Sequence, residues 1–170
     1  MWRSDFNLNA LYEAIDAQRR SRGLTWAQAT REISRFATSG HPVASSTITG
    51  LKNKVVAEGD GVIQMLVWLR RPPESFIPGF PDAGADRYRL PEVGSHQVLR
   101  WDSRAIHTAL DAARGARGLA WKQLSMEVGI LSPSTIATMA RGGRVGLPGI
   151  MRVIRWLDQP AAAFIRRTYQ

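Results

Sequence analysis

The sequence predicts an all-α protein built from two tandem helical bundles of about four to five helices each. The first observation is an internal repeat: residues 22–26 (RGLTW) return as residues 117–121 (RGLAW), and residues 46–48 (STI) return as residues 134–136. The second is that apolar residues in both copies follow helical spacing, and the third is a stretch rich in Gly and Pro between the copies. A repeat of this length indicates a duplicated small domain, so the question becomes what one copy does twice.

Alignment of the two copies sets the expected domain boundaries. Residues 6–34 match residues 101–129 at an offset of 95 without gaps, and from residue 46 onward the offset is 88. The first copy therefore carries seven additional residues after Ser34. The predicted division of the chain is a first domain at residues 1–77, a linker at 78–100 and a second domain at 101–170.

Cap and turn residues justify the predicted helices in order. Gly23 and Gly118 end the first helix, and Thr25 is the predicted N-cap of the next one in the first copy. In the second copy Ser132 and Pro133 supply the N-cap and first position of the third helix. A fourth apolar stretch in each copy predicts the last long helix, after which Phe-Ile pairs fold back on the core. Four apolar residues in the linker predict that part of it packs as a short extended piece: Tyr88, Leu90, Val93 and Val98.

Charge favours a polyanionic partner. The net charge is +9 and the isoelectric point is near 11.1. Residues 101–170 carry ten Lys and Arg against four Asp and Glu, whereas residues 1–77 carry ten against seven. We therefore expect the second copy to bind a polyanion more strongly than the first copy.

Composition also excludes several classes of protein. The chain has no cysteine, hence no disulfide framework or thiolate metal site, and it has no apolar run of membrane-spanning length. The start of the chain lacks the pattern of a signal peptide, which predicts a cytoplasmic location without a membrane partner. Three scattered histidines, His41, His96 and His107, have no metal-ligand spacing, and neither a phosphate-binding loop nor paired carboxylates occur. We expect no catalytic residues, no metal and no cofactor.

Residues 117–144 (RGLAWKQLSMEVGILSPSTIATMARGGR) resemble the helix-turn-helix of the Cro/lambda-repressor-like (XRE) family. The resemblance covers nearly all of residues 101–165 and, more loosely, residues 6–77. It implies two tandem lambda-repressor-like bundles, in each of which the second helix lies across the DNA backbone and the third enters the major groove. It also implies a sequence-specific transcriptional regulator, a repressor of bacterial or phage type.

The copies depart from the family pattern to different degrees. The turn at residues 129–132 is one residue longer than is usual in the family. The first copy departs further, because the additional residues fall around 38–42, Ala44 replaces the Ser132 cap, and Gly50 lies within the predicted recognition helix. A glycine there costs about 1 kcal/mol relative to alanine.

Base contacts are predicted on the side of the third helix opposite its inward residues. In the second copy these are Ser134, Thr135, Thr138 and Arg141; in the first copy they are Ser46, Thr47, Gly50 and Asn53. Short hydroxyl side chains can approach base edges. Arg141 binds either guanine or a phosphate, and Asn53 either binds adenine or caps the helix.

Phosphate contacts are predicted at the start of the second helix and around the third, because free amide groups at a helix N-terminus bind anions. The predicted residues are Trp121, Lys122, Gln123 and Arg144 in the second copy and Trp26, Gln28, Lys52 and Lys54 in the first. Trp26 and Trp121 either donate the indole N–H to a phosphate or pack between helices, whereas Trp68 and Trp156 are expected in the core. Four further arginines are candidate phosphate partners: Arg114, Arg117, Arg166 and Arg167.

Two copies joined by a flexible linker predict an asymmetric bipartite DNA site bound by an intramolecular pseudo-dimer, with a homodimer as the alternative. A second hypothesis is that only the second domain binds DNA, while the first is a dimerisation or protein-interaction module with a surface at Trp68 and Phe76. A third hypothesis is an antitoxin-like regulator.

Overall fold

The computed structural model describes residues 5–35, 42–54, 57–129 and 131–169. These residues contain four α-helices in the first repeat (residues 6–77), α1 Leu8–Ser21, α2 Trp26–Ser34, α3 Ser45–Thr49 and α4 Gly59–Leu69. They contain four in the second repeat (residues 101–165), α5 Ser103–Ala116, α6 Trp121–Val128, α7 Pro133–Ala140 and α8 Leu147–Trp156. The predicted helical class is confirmed in its main feature. The structure adds a two-stranded antiparallel sheet of β1 Gln97–Trp101 and β2 Ile165–Tyr169, which the all-α prediction did not include.

Polar caps explain where the helices begin. Asn7 Oδ1 accepts the Ala10 amide at 2.9 Å at the start of α1, and Asp102 Oδ1 accepts the Ala105 amide at 3.0 Å at the start of α5. The predicted cap Thr25 is confirmed, since its hydroxyl accepts the first-turn amide of α2 at 3.1 Å. Each cap satisfies an amide that has no partner within its own helix.

The third helices of the two repeats differ in length. α3 has five α-helical residues and continues as a 3₁₀ turn, Gly50–Asn53, whereas α7 has eight. Gly50 was predicted inside the recognition helix, and the structure places it at the change from α to 3₁₀ geometry instead. Glycine lowers helix propensity, and 3₁₀ turns are common at helix ends. Residues 36–41, which include most of the additional segment around 38–42, and the turn residue Ile130 lie outside the described residues.

The segment predicted as a linker contributes to the core. β1 follows Tyr88, which is buried, and pairs along its length with β2, so that Trp101 faces Ile165. Its other edge is covered by α4: Gln64 Nε2 donates to the Leu99 carbonyl at 3.2 Å, and Trp101 N donates to an Asp60 carboxylate oxygen at 3.1 Å. The predicted extended piece therefore exists as β1.

Helices α4 and α8 supply the centre of the core. The apolar stretch predicted for the last long helix is buried at Val62, Met65, Leu66 and Leu69 in α4 and at Ile150, Val153 and Ile154 in α8. The predicted stretch of the second repeat also included Leu157, which is half-buried, and Trp156, expected in the core, is half-buried as well. After each of these helices a short 3₁₀ turn, Pro73–Phe76 or Ala161–Phe164, returns a phenylalanine to the core. The predicted folding-back is confirmed in both repeats, although in the second it leads into β2.

The two repeats contact each other through equivalent residues. Glu58 and Gly146, which are 88 residues apart, form an antiparallel bridge. Gly59 N donates to Val145 O at 3.1 Å, and Leu147 N donates to Ala57 O at 2.8 Å. Exchanging the repeats converts each hydrogen bond into the other, so the contact is isologous and the repeats are related by an approximate two-fold axis at this bridge.

Away from this bridge the interface is asymmetric. Asp5, directly before the first repeat, pairs with Arg152 of α8 at 2.8 Å, and Arg152 also donates to the carbonyl of Gly129 at 3.0 Å. The hydrogen bond from Arg152 lowers the pKa of Asp5 below its ordinary value. At another point Glu74 Oε1 accepts the Ala161 amide at 2.6 Å. The repeats therefore share one interface with both apolar and polar contacts.

Candidate nucleic-acid interface

The exposed start of α7 carries a cluster of hydroxyl groups. Ser132 accepts the Thr135 amide at 3.1 Å, which confirms the predicted N-cap. Its Oγ also lies 3.0 Å from Ser134 Oγ and 2.8 Å from Thr135 Oγ1. Pro133 occupies the first helical position, where the missing N–H leaves no helical bond unmade. Ser134 and Thr135, two predicted base contacts, thus lie together at one end of α7.

Thr138 and Arg141 lie at the other end of α7. The Thr138 hydroxyl donates to the Ser134 carbonyl at 2.8 Å, and Arg141 Nη2 donates to Thr138 Oγ1 at 3.4 Å. Arg141 is the C-cap rather than an internal residue, because Gly142 leaves the helix with φ 73°. Arg104 donates to the Arg141 carbonyl at 3.2 Å, so the backbone is held while the guanidinium stays exposed.

The start of α6 has unsatisfied amide groups. Gln123 Oε1 accepts the Ala120 N–H at 2.8 Å, but Ala120 has no side-chain oxygen to cap the first turn in return. In α2 the Thr25 hydroxyl provides that cap. The first turn of α6, which begins at Trp121, is therefore more open to an anion than the first turn of α2.

Trp121 is held between two side chains of α5. The His107 ring stacks on it with centroids 5.5 Å apart, and the Arg114 guanidinium lies 4.7 Å from the ring. Arg114 is itself positioned by Asp111 at 2.7 Å. His107 is half-buried in this stack.

Trp26 is held in the same way in the first repeat. Tyr12 stacks on it at 5.7 Å, and Arg19 lies 4.7 Å from its ring. Asp16 positions Arg19 at 2.6 Å, and the Lys52 ammonium lies 5.5 Å from the centroid of the Tyr12 ring. Asp16 and Arg19 align with Asp111 and Arg114 in the repeat. The alignment alone did not predict that each aspartate holds its arginine against a tryptophan ring.

The indole N–H groups of Trp26 and Trp121 have no acceptor within the described ranges. The other described tryptophans have one: Trp68 donates to Glu32 at 2.9 Å, Trp156 to Glu127 at 3.1 Å, and Trp101 to the Gly59 carbonyl at 3.1 Å. The structure thus shows the packing alternative for Trp26 and Trp121, whereas donation to a phosphate stays a prediction. Their rings pack between side chains, and their N–H groups are free to donate.

A repeated Arg–Glu–Trp contact fixes α2 and α6 against the long helices. Glu32 accepts hydrogen bonds from Arg22 at 2.6 Å and from Trp68. Both bonds lower the pKa of Glu32, and the bond from Arg22 has the larger effect on it. In the second repeat Arg117 lies 3.0 Å from Glu127. Sequence reasoning did not identify this site, although both copies keep the arginine, the glutamate and the tryptophan at aligned positions.

The predicted residues of the first repeat are arranged less regularly. Ser46 is exposed on α3 and Thr47 is half-buried. Asn53 is the last residue of the 3₁₀ turn and is exposed, next to Lys54. Gln28 Oε1 accepts the backbone N–H of the N-cap residue of α2 at 2.8 Å, which leaves its amide N–H groups as donors.

The candidate phosphate-binding cations fall into two groups. Those without a side-chain partner in the described part of the chain are Lys54, Lys122, Arg144 and Arg166, and all four are exposed. Those engaged within the protein are Arg114 with Asp111, Arg117 with Glu127, Arg167 with the Glu92 carbonyl at 2.6 Å, and Lys52 with Tyr12. Of these four cations, Lys122 and Arg144 lie in the second repeat and Arg166 directly follows it, whereas Lys54 lies in the first repeat.

The hypothesis that the first repeat offers a docking surface at Trp68 and Phe76 is not supported. Trp68 is 8% exposed and Phe76 is 3% exposed. Phe76 packs against Phe6 with ring centroids 5.8 Å apart. Both side chains therefore belong to the core of the repeat.

None of the helices in the described ranges has the length and apolar composition needed to cross a bilayer. Within the same ranges there is no group of three or more His, Asp or Glu side chains that could hold a metal ion. No family model, curated protein or solved structure matches the chain. The resemblance of residues 117–144 to the XRE family therefore stays a prediction.

Proposed function

We propose that the protein is a sequence-specific double-stranded DNA-binding transcriptional regulator that represses by occupying its site. In this proposal α2–α3 and α6–α7 are two helix-turn-helix units of one chain. The observation that carries it is the combination at α6–α7: an uncapped helix start, a free indole N–H on Trp121, and an adjacent exposed helix with Ser134, Thr135 and Arg141 on its surface. Phosphate contacts position a protein on DNA, and groups that reach base edges provide sequence selectivity.

Roles within the second unit follow from the geometry. The α6 amides, the Trp121 indole and Lys122 bind phosphate oxygens, since all are donors or cations without a partner among the described residues. Arg141 extends beyond the end of α7, and its guanidinium can form the bidentate contact with guanine that a fork of N–H donors allows. A contact of this kind contributes about 1 to 3 kcal/mol of discrimination.

The first unit contributes differently. Its third helix is shorter, its second helix is already capped, and Lys52 is drawn towards Tyr12. Asn53 and Lys54 remain exposed beyond the helix. We infer that this unit adds weaker contacts, so the whole chain binds an asymmetric site as an intramolecular pseudo-dimer related by the axis at Glu58 and Gly146.

Selection of bound sequences from random duplex DNA tests the proposal. The full chain is compared with Arg141→Ala and Asn53→Ala, because deleting the first repeat would expose core residues of the second. Arg141→Ala should relax one base position in the selected site, and Asn53→Ala should affect a different position more weakly. Failure to enrich any sequence would refute sequence-specific binding, and a uniform loss of affinity with Arg141→Ala would make Arg141 a phosphate contact.

A further inference from the structure

A groove of about 820 Å³ lies in the second repeat where α5, α6 and α7 meet. Its walls are mainly apolar and include Trp121, Met126, Leu131, Pro133, Ile136 and Ala137. This volume is within the range of small-molecule sites, roughly 300 to 1,000 Å³. Met126 is 72% exposed, and Tyr169 is the only other large apolar residue of the described ranges that is similarly exposed. The groove therefore presents apolar surface that the fold itself does not cover.

Comparison with the first repeat shows why the groove is open. Lys52 lies over the Tyr12 ring in the first repeat, with its ammonium 5.5 Å from the ring centroid. The aligned residues in the second repeat are Ala140 and His107. The Ala140 side chain is too short to cover the His107–Trp121 stack, so the aromatic surface stays accessible between α5 and α7.

The rim of the groove has one unpaired cation. Arg114 is engaged by Asp111 at 2.7 Å, by the Leu119 carbonyl at 2.8 Å and by the Trp121 ring. Lys122 is exposed at the rim, and its ammonium has no partner among the described residues. An apolar trough beside a single free ammonium is complementary to a ligand with an apolar body and one anionic group.

We propose that this groove binds an aromatic carboxylic acid, with the ring against Trp121 and Met126 and the carboxylate on Lys122. The ligand is small, because the groove formed by α5, α6 and the start of α7 has the volume of a small-molecule site. A regulatory consequence rests on the proposed function: Trp121 and Lys122 are also proposed phosphate contacts, so the bound acid would compete with DNA.

A calorimetric titration of the protein with 2-naphthoate, in the absence of DNA, tests the site directly. The uncharged isostere 2-naphthamide is the control ligand. We expect saturable one-to-one binding of the acid, about tenfold tighter than the amide, because a charge-assisted bond contributes more than a neutral one. Lys122→Gln should remove that difference while retaining binding of the amide, whereas Arg89→Gln, which removes an exposed cation elsewhere, should change neither.

A second variant tests the groove itself. Ala137 is exposed on the groove wall, and Ala137→Trp should fill the groove and abolish binding of both ligands, whereas Ala112→Trp on the exposed face of α5 should not. Circular dichroism shows whether each variant is folded. Absence of saturable binding, equal affinity for acid and amide, or displacement of 2-naphthoate by equimolar inorganic phosphate would each overturn the proposal.

Competition with DNA is measured separately. If the protein binds duplex DNA, 2-naphthoate should displace it and 2-naphthamide should do so about tenfold less well. Binding of the acid without displacement would overturn the regulatory consequence and leave the groove assignment intact. If no duplex is bound at all, the proposed function fails, while the direct titration still decides the ligand site.

Discussion

Glu58 and Gly146 occupy equivalent positions in the two repeats and face each other in an antiparallel bridge. The hydrogen bonds that flank the bridge, Gly59 N to Val145 O and Leu147 N to Ala57 O, are equivalent to each other. Because the counterparts of each bonded pair are bonded to each other in the same way, the duplicated units associate as the subunits of a two-fold dimer do. Here both units belong to one chain, and the relative placement of α3 and α7 depends on this interface together with β1, which bonds to both α4 and β2.

Replacement of Gly59 by alanine should weaken the interface. A Cβ at this position would lie 2.9 Å from Trp101 Cδ1 and 2.9 Å from Ile150 Cδ1, and the indole ring cannot yield easily. We expect destabilisation of about 1 to 3 kcal/mol, measured by urea unfolding. Gly61→Ala is the matched control, since its nearest neighbour would be Glu58 Oε2 at 3.6 Å, and should be neutral or stabilising by up to about 1 kcal/mol. Equal effects of the two substitutions would contradict the close contact.

Stability should depend on pH through Glu74. Its side chain is 2% exposed and its Oε2 has no hydrogen-bond partner in the described part of the chain. Burial raises the pKa of Glu74 above its ordinary value, although the bond from Ala161 and the charge of Arg87 oppose this.

The sign of the effect follows from proton binding. The folded protein holds the Glu74 proton more tightly than the unfolded chain, so this contribution to stability is complete below the ordinary pKa and is lost as pH rises through the folded pKa. Glu74→Gln should flatten the fall in unfolding free energy that begins as pH rises above the ordinary pKa of glutamate. Glu13→Gln, at an exposed position, should leave the profile unchanged. An unaltered slope in Glu74→Gln would show that another group causes it.

The caps of the third helices offer a reciprocal pair of substitutions. Ser132 caps α7, whereas Ala44 at the equivalent position of α3 makes no side-chain bond although its backbone is extended, with φ −77° and ψ 149°. Ser132→Ala should cost about 1 kcal/mol, and Ala44→Ser should stabilise by a similar or smaller amount. Thermal or urea unfolding measures both. Destabilisation by Ala44→Ser would mean that the start of α3 cannot accept a cap.

The indole donor can be tested without removing the aromatic ring. Trp121→Phe deletes an N–H that has no acceptor among the described residues, so stability should change little. If that N–H binds a phosphate, affinity for duplex DNA should fall about tenfold for all sequences alike. Trp26→Phe is the equivalent change in the first repeat and should have a smaller effect. An unchanged affinity in Trp121→Phe would assign the residue to packing alone.

A fixed interface between the repeats predicts strict spacing within the DNA site. Insertion of about five base pairs, half a turn of duplex, between the two parts of the selected site would rotate them to opposite faces. Affinity should then fall to that of a single part, as measured by gel shift. Retention of full affinity would indicate that the repeats separate and move independently.

Much of the local structure was predictable. The repeat alignment located eight helices, since apolar spacing and the residues Thr25, Ser132, Gly118 and Gly129 specify helix faces and ends through contacts within a few residues. The shorter α3 is consistent with Gly50, which the sequence had marked as unfavourable. Arg141 is the C-cap of α7, because Gly142 takes the left-handed φ that commonly follows a helix end.

Other features depend on residues distant in sequence. No local pattern indicates that β1 pairs with residues 165–169, because a five-residue strand is stable only when a partner strand and α4 cover it. The stacks on Trp26 and Trp121 combine separate helices in the same way. Sequence alone determined that the chain is a duplicated helical protein with one basic, regular copy and one divergent copy. Only the tertiary structure decided that the copies pair at Glu58 and Gly146, because such a contact depends on how two complete surfaces fit together.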